Sequence, residues 1–301
     1  TVYEDQLVRG LGYSLGLRYD HSSFYGSTTN ARLGLIGDMP VDRMGLPLSR
    51  WISKVIYGEA YREPTIFELS DEFRGNPRLK PESTQTYQWI NQLEHLVTDG
   101  MLGLSLIELQ LEAFYSQTDD SIIIDTETEH YANKGQRSSR GAEAGLRFEF
   151  AQSHALALNY HYLDGRIESA SWDSIVGTAR QKWLLAWQSA YFDKRLALDW
   201  TLKYSGKRAV TETNPYFDGY APSYTKSDLA LSWLFDAQGE RRVQLVIDNL
   251  FDRDIVGVSR QTGSSDRNAW NPATNPNPPG FIPAYHPLPG RRLFLQTRWA
   301  F

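Results

Sequence analysis

The side chains able to do chemistry are few and scattered. The sequence holds six histidines, His21, His95, His130, His154, His161 and His286, and no cysteine among its 301 residues. Disulfides, thiolate metal sites and Cys nucleophiles are therefore excluded for this sequence. Gly12-Tyr13-Ser14-Leu15-Gly16 has the Gly-x-Ser-x-Gly spacing but sits inside an alternating segment rather than at a strand-to-helix elbow, and no His-Glu-x-x-His pair occurs. His161 with Asn159 could be joined by a Ser in three dimensions, or both could line a polar interior. The stretch 119–136 sets Asp119, Asp120, Asp125, Glu127 and Glu129 against Lys134. Its oxygens could bind Ca²⁺, or the stretch could be a solvated loop. The richest constellation is 253–289, a Pro- and Asn-rich segment with Arg260, Arg267, Trp270, Phe281, Tyr285 and His286. Aromatic faces beside cations suit an anionic small ligand. Arg267, Trp270, Phe281, Tyr285 and His286 are the candidate ligand-binding residues.

The elements that must carry these residues read as strands. Leu196, Leu198, Trp200, Leu202 and Tyr204 alternate with Ala197, Asp199, Thr201 and Lys203. Ala142, Ala144, Leu146, Phe148 and Phe150 alternate with Glu143, Gly145, Arg147 and Glu149 in the same way. A period of two is the strand signal. Such segments fall at 11–20, 28–38, 48–61, 83–95, 103–118, 137–150, 153–165, 178–191, 194–208, 224–235, 241–252 and 290–301. In 48–61 the phase is open, because Trp51, Val55 and Tyr57 compete with Ile52 and Ile56. No long helix is expected.

The connections alternate in length. Those at 62–82, 119–136, 166–177, 209–223 and 253–289 are longer than their neighbours at 96–102, 151–152, 192–193 and 236–240. The first pair, 21–27 and 39–47, does not follow the rule. An antiparallel meander with long loops at one end and tight turns at the other is the signature of an outer-membrane barrel. Many segments run ten residues or more, enough to cross hydrocarbon at a tilt. A soluble sandwich also alternates, but its strands are shorter and its loops are not sorted by end. Trp51, Trp89, Trp183, Trp187, Trp200, Trp233 and Trp299 lie in the predicted strands, several near their ends, as aromatic girdles do. Lys plus Arg is 31 against 36 Asp plus Glu, a net charge of −5, so no nucleic-acid partner is indicated. No apolar run is long enough for a membrane-spanning helix. The expected fold is all-β, a transmembrane antiparallel meander of about twelve strands, with residues 1–301 as one barrel portion.

Short motifs then add a resemblance. Tyr61-Arg-Glu-Pro-Thr-Ile-Phe-Glu-Leu69 is followed by Gly75-Asn-Pro-Arg-Leu-Lys-Pro-Glu82. Leu17-Arg18-Tyr19-Asp20 ends the first strand, and Asp248-Asn249-Leu250-Phe251-Asp252 closes the penultimate one. Together, with Gly290-Arg291 and the terminal Phe301, these resemble the paired boxes and strand ends of TonB-dependent outer-membrane receptors. Glu63 stands where that pattern usually has Ala. An amphipathic last strand with Leu293, Leu295, Trp299 and Phe301 on one face also resembles the signal read by the outer-membrane assembly machinery.

The resemblance implies a plugged barrel of about 22 strands, of which this chain would supply the C-terminal part. The plug and first barrel strands are then expected outside this chain, in the same or a separate polypeptide. The implied role is uptake of a scarce chelated nutrient, a ferric siderophore above all, in the outer membrane of a Gram-negative cell. The implied partners are the TonB complex acting through that plug, the N-terminal barrel and plug portion, outer-membrane lipid and a small-molecule chelate. No catalysis, cofactor or resident metal is expected. Haem is disfavoured, because 62–82 lacks the His that haem receptors of this family carry between the boxes. The alternative is a self-closed twelve-stranded pore or outer-membrane hydrolase. Arg62 and Glu68 could pair, the boxes read as loop scaffolding, and Asn249 and Asp252 are expected to cap the strand-to-loop transition.

Overall fold

The computed structural model describes residues 2–8, 10–39, 41, 44–98, 100–125, 127–151, 153–167, 177–210, 219–236, 240–258 and 286–299. Period-two patterning is realised as a single sheet whose strand order follows the chain. The strands are β1 (Val2–Val8), β2 (Leu11–Ser22), β3 (Gly26–Asp38), β4 (Arg50–Arg62), β5 (Glu82–Leu96), β6 (Leu104–Ile124) and β7 (Tyr131–Phe150). They continue as β8 (His154–Ile167), β9 (Gln181–Tyr191), β10 (Leu196–Ser205), β11 (Tyr224–Leu234), β12 (Arg241–Asp248) and β13 (Arg292–Trp299). The twelve expected strands are all present, and β1 precedes them. Its mixed alternation, with Glu4 and Gln6 between Val2 and Val8, hides it in the sequence. It pairs antiparallel with β2 through Val2↔Gly16. Both edges of β2 are thus taken, by β1 and β3. A pore closed by the last strand on Leu11–Asp20 is not what forms.

Two compact units divide the chain. One comprises 1–96, 107–145 and 163–174, the other 97–106, 146–162 and 175–301. In the first unit the register aligns Leu15, Leu33, Tyr57 and Tyr87 in one row, and Tyr13, Leu35, Val55 and Trp89 in the next. These rows decide the phase of β4: Val55 and Tyr57 belong to the apolar face, and Ile52 and Ile56 to the other. Val55 and Trp89 are each 54% exposed, so nothing among the described residues covers this face. The opposite face is polar and cross-linked. Thr84 meets Thr118 at 2.9 Å, Thr86 meets Ser116 at 3.0 Å, and Gln88 donates to Glu112 at 3.2 Å.

The second unit repeats the arrangement. Leu156, Trp187, Trp200, Leu229, Ile247 and Leu293 form one cross-strand row. At the long-connection end the face closes with Tyr160, Trp183 and Tyr204, the first two with ring centroids 4.3 Å apart. At the tight-turn end Phe192 meets Trp233, Phe235 stacks on Trp299, and His154 stacks on Trp187. On β9, Trp183 and Tyr191 mark the two ends of the apolar band. Eight steps of ~3.3 Å at a tilt of ~40° span about 20 Å, close to the ~25 Å band of an outer-membrane wall.

Few side chains are buried, and most of them sit beyond the strands' apolar rows. Leu79, Glu82, Ser121, Ile122 and Asp125 gather at the long-connection end of the first unit. Ala179, Arg208, Ala209, Val210, Ala221 and Ile255 do so in the second. Among the described residues helix is confined to α1 (Ile66–Ser70) and one 3₁₀ turn, Met101–Gly103.

The two faces predict opposite sensitivities at adjacent positions. Leu198 pairs with Ser189 and Leu231 in an apolar row. Leu198→Arg should destabilise the protein by ~2–4 kcal/mol in lipid vesicles, and Asp199→Asn should change little. Denaturant unfolding of both variants checks this, and equal effects would overturn the face assignment.

Candidate functional site at the loop end

The long connection after β4 is built, not slack. Pro64 is buried and ends the ladder, and Thr65 caps α1. Thr65 Oγ1 accepts from the Glu68 N–H, and Glu68 Oε2 accepts from the Thr65 N–H at 2.7 Å, a complete capping box. Arg62 then forks to both sides. It donates to both oxygens of Glu68 at 3.0 and 3.1 Å, and to both oxygens of Glu82 at 2.8 and 2.9 Å. Glu82 is 5% exposed and also accepts the Ile122 N–H at 2.7 Å. Burial pushes the Glu68 carboxyl up, but hydrogen bonds from Arg62 and Thr65 outweigh this and hold it below the usual carboxylate range.

The second box straps the loop to the β6–β7 hairpin. Asn76 Nδ2 donates to the Tyr131 carbonyl at 2.8 Å, and Asn76 Oδ1 accepts from the Arg78 N–H at 2.9 Å. The Tyr131 N–H donates to the Arg74 carbonyl at 2.9 Å. Asn133 Oδ1 accepts the Lys80 N–H, and its Nδ2 donates to the Lys80 and Asp120 carbonyls. The boxes are therefore scaffolding, and Arg62 does pair with Glu68.

One expected connection is corrected here. The stretch 119–136 is mostly strand, since β6 runs to Ile124 and β7 starts at Tyr131. The run Ile122-Ile123-Ile124 was the signal for it, overshadowed by the surrounding carboxylates. Asp125 pairs with Lys134 at 2.7 Å and accepts from the Glu127 N–H and the Thr128 hydroxyl. Asp119 accepts from Gln117 and Gln136. These acids are used internally. Among the described residues no group of three or more His, Cys, Asp or Glu is set to hold a metal.

In the second unit the Asp248–Asp252 motif closes a turn. Asn249 is fully buried with φ of +55°, a left-handed position that Asn tolerates. Its side chain exchanges two hydrogen bonds with the Arg253 backbone. Asp252 Oδ1 accepts the Arg291 N–H at 2.7 Å, and a Cβ at Gly290 would lie 2.8 Å from that oxygen. Gly290 is thus a close approach. Both expected caps form. Asp248 is held by Lys226 and, at 2.6 Å, by Arg292. Lys226 and Lys203 reach Asp228 at 3.0 and 3.2 Å.

Of the predicted site residues, Arg267, Trp270, Phe281 and Tyr285 lie outside the described residues. The His286 backbone pairs with Gly257 in a two-residue ladder that closes the base of that connection. His161 stands opposite Lys182 in the β8–β9 register. The residue that sequence reasoning missed is Arg208. It is 8% exposed, with Nη1 on the Val256 carbonyl at 2.7 Å and Nη2 on the Pro222 carbonyl at 3.0 Å. Its guanidinium lies 5.0 Å from the Tyr224 ring centroid, and burial lowers its affinity for the proton. Among the described residues no carboxylate pairs with it. It ties the connection 206–223 to the base of 249–291. Its position at the fraying end of an alternating segment gave no sign of this.

A family model described as TonB dependent receptor-like, beta-barrel, matches residues 8–250. Among solved structures, the ferric-catecholate import receptor Fiu from E. coli is 16% identical, with a TM-score of 0.70 over 97% of this chain and 42% of that one. A mutant of the ferric enterobactin receptor PfeA from Pseudomonas aeruginosa, in complex with enterobactin, is 17% identical, with a TM-score of 0.68 over 96% and 43%. The FrpB iron transporter from Neisseria meningitidis is 13% identical, with the same TM-score and coverages. The chain thus spans less than half the length of these structures, and at such identity the likeness is one of fold.

Removing the Arg62 fork should release the strap. Arg62→Met leaves the buried Glu82 carboxylate with the Ile122 N–H as its hydrogen-bond donor among the described residues and the charge of Arg137 nearby. The cost should be roughly 2 kcal/mol, below the ~3–5 of a fully buried pair because the Arg62 side chain is 43% exposed. Amide exchange at Asn76, Lys80 and Tyr131 should then rise about thirtyfold. A lowered carboxyl contributes stability above its ordinary value of about 4.3 and loses it as pH falls further. Wild-type protection at these amides should accordingly hold from about pH 8 to 5 and decline below about 4.

Proposed function

The chain belongs to the TonB-dependent receptor β-barrel family, and from that premise we propose that it forms part of the wall and outer rim of a receptor taking up a ferric chelate, a catecholate or hydroxamate siderophore in chemical class. The observation that carries the reading is the contrast between a bare sheet and a built rim. Apolar rows go uncovered, whereas many buried side chains collect at the long-connection end. Such a distribution suits a wall in lipid whose recognition surface has been stiffened at one end. The ligands of the similar receptors, a ferric catecholate and enterobactin, favour a ferric siderophore over cobalamin or haem.

On this reading the chain works in a Gram-negative outer membrane and is not an enzyme. Energy would reach it from the TonB complex through a plug lying outside residues 1–301, in the same or a separate polypeptide. Arg267, Trp270, Phe281, Tyr285 and His286 are the proposed chelate contacts. Aromatic rings offer faces to the chelate's rings, and Arg267 offers a charge-assisted donor to its anionic oxygens. Arg208 would act indirectly, by holding the base of that loop against 206–223.

Deleting residues 262–285 should abolish binding of ferric enterobactin while leaving heat-resistant electrophoretic migration intact, because every strand is untouched. Trp270→Ala alone should cost ~2 kcal/mol of binding. Unchanged affinity after the deletion would remove these residues from the site.

A further inference from the structure

A second cleft opens through the sheet at the loop end of the first unit. The β3–β4 ladder stops at Arg32↔Gly58. The neighbouring ladders run on, β2–β3 to Ser22↔Gly26 and β4–β5 to Arg62↔Glu82. Beyond Gly58 the wall therefore parts between the β2–β3 hairpin tip and β4. The Glu59 side chain fills the root of the gap, its Oε2 accepting the Ala31 N–H at 2.9 Å and its Oε1 the Tyr57 hydroxyl. The opening is about 400 Å³, within the ~300–1,000 Å³ range of small-ligand sites. Arg18, Asn30, Glu59, Tyr61, Arg62 and Glu63 line it.

Three features define what it can take. Asn30 Nδ2, on the cleft's lining, is buried without a hydrogen-bond partner. Groups left so cost free energy unless something completes them. Tyr61 offers an aromatic ring, flanked by Arg18 at 5.8 Å and by the Tyr25 ring at 6.3 Å. The charge balance is against an anion. Arg62 is already committed to Glu68 and Glu82, and Arg18 to Asp20 at 2.6 Å; Glu59 takes hydrogen bonds from Ala31 and Tyr57 and Glu63 from the Tyr25 hydroxyl, and neither has a cation partner among the described residues. A metal is not suited either, since no set of three ligating side chains converges among the described residues.

A ring to pack on, an amide donor and carboxylate acceptors, with no cationic surplus, form a polar set for a neutral polyhydroxylated ring. We propose that this cleft is a subsite for a neutral saccharide, separate from the chelate contacts. The Tyr61 ring packs against the C–H face of the sugar. Asn30 donates to a ring hydroxyl, and Glu63 accepts from another. The cleft lies just past Leu17 and Tyr19, which are 59% and 65% exposed on the apolar face, so a lipid-linked sugar and a free one can both reach it. The proposal does not rest on the siderophore reading.

The test is saturation-transfer NMR on the full-length protein in detergent. The probes are a neutral hexose oligosaccharide and the intact neutral glycolipid that carries it, with ferric enterobactin as a control. Saturation should reach sugar-ring protons. Tyr61→Ala and Asn30→Ala should each weaken saccharide binding about tenfold, and Tyr61→Phe should retain it. Heat-resistant migration and ferric enterobactin affinity should not change. Binding of both probes, or of the intact lipid alone, supports the site and tells a free from a lipid-anchored sugar. Absence of transfer to either probe, or unchanged affinity in both alanine variants, overturns it. Asn30→Ser, which keeps a donor, secures the readout where the alanine variant folds poorly.

Discussion

Sideways satisfaction of the backbone is the constraint from which the rest of this structure follows. A sheet meeting hydrocarbon on one face cannot send its amides to water there, so each strand must spend its hydrogen bonds on its neighbours. The chain complies by taking the simplest order available, every strand beside the one before it. Side chains are then free to differ by face. The Leu15–Leu33–Tyr57–Tyr87 row and the Thr84–Thr118 and Thr86–Ser116 contacts are alternate readings of the same strands.

This allocation moves the core. In a water-soluble domain the buried side chains lie between layers. Here many of them lie at the long-connection end, around Leu79 and Ile122 in one unit and around Ala179, Val210, Ala221 and Ile255 in the other. Polar fasteners complete them. Arg62 joins a helix cap to a buried carboxylate, Asn76 and Asn133 exchange bonds with backbone across the strap, and Arg208 spans two connections. Each fastener is a side chain serving backbone groups that have left the ladder, so the rim stays ordered without an apolar layer of its own.

The sheet was legible because period-two alternation is a local property, carried by residues such as Leu196 to Tyr204. Arg62 with Glu68 and the Asn249 cap were legible through short motifs. What escaped depends on longer-range geometry. β6 and β7 run past their expected ends with the loop 63–81 strapped to them, and within 119–136 only the short Ile122–Ile124 run hinted at this. The saccharide cleft exists only because β3 and β4 separate beyond Arg32 and Gly58 while their other neighbours hold on. The burial of Arg208 comes from two connections whose carbonyls arrive from Pro222 and Val256.

The division into one lipid-facing and one polar face is the claim on which the account stands, and the absence of cysteine makes it directly measurable. Single variants Leu33→Cys, Val55→Cys and Leu202→Cys, and on the other face Thr86→Cys, Gln88→Cys and Lys203→Cys, can each carry a nitroxide label in lipid vesicles. Collision rates with dissolved oxygen and with a water-soluble nickel chelate then report what each position touches. The account predicts high oxygen and low nickel accessibility at the first three labels, with the reverse at the second three. Equal nickel accessibility on both faces would contradict it, because the apolar rows would then stand in water.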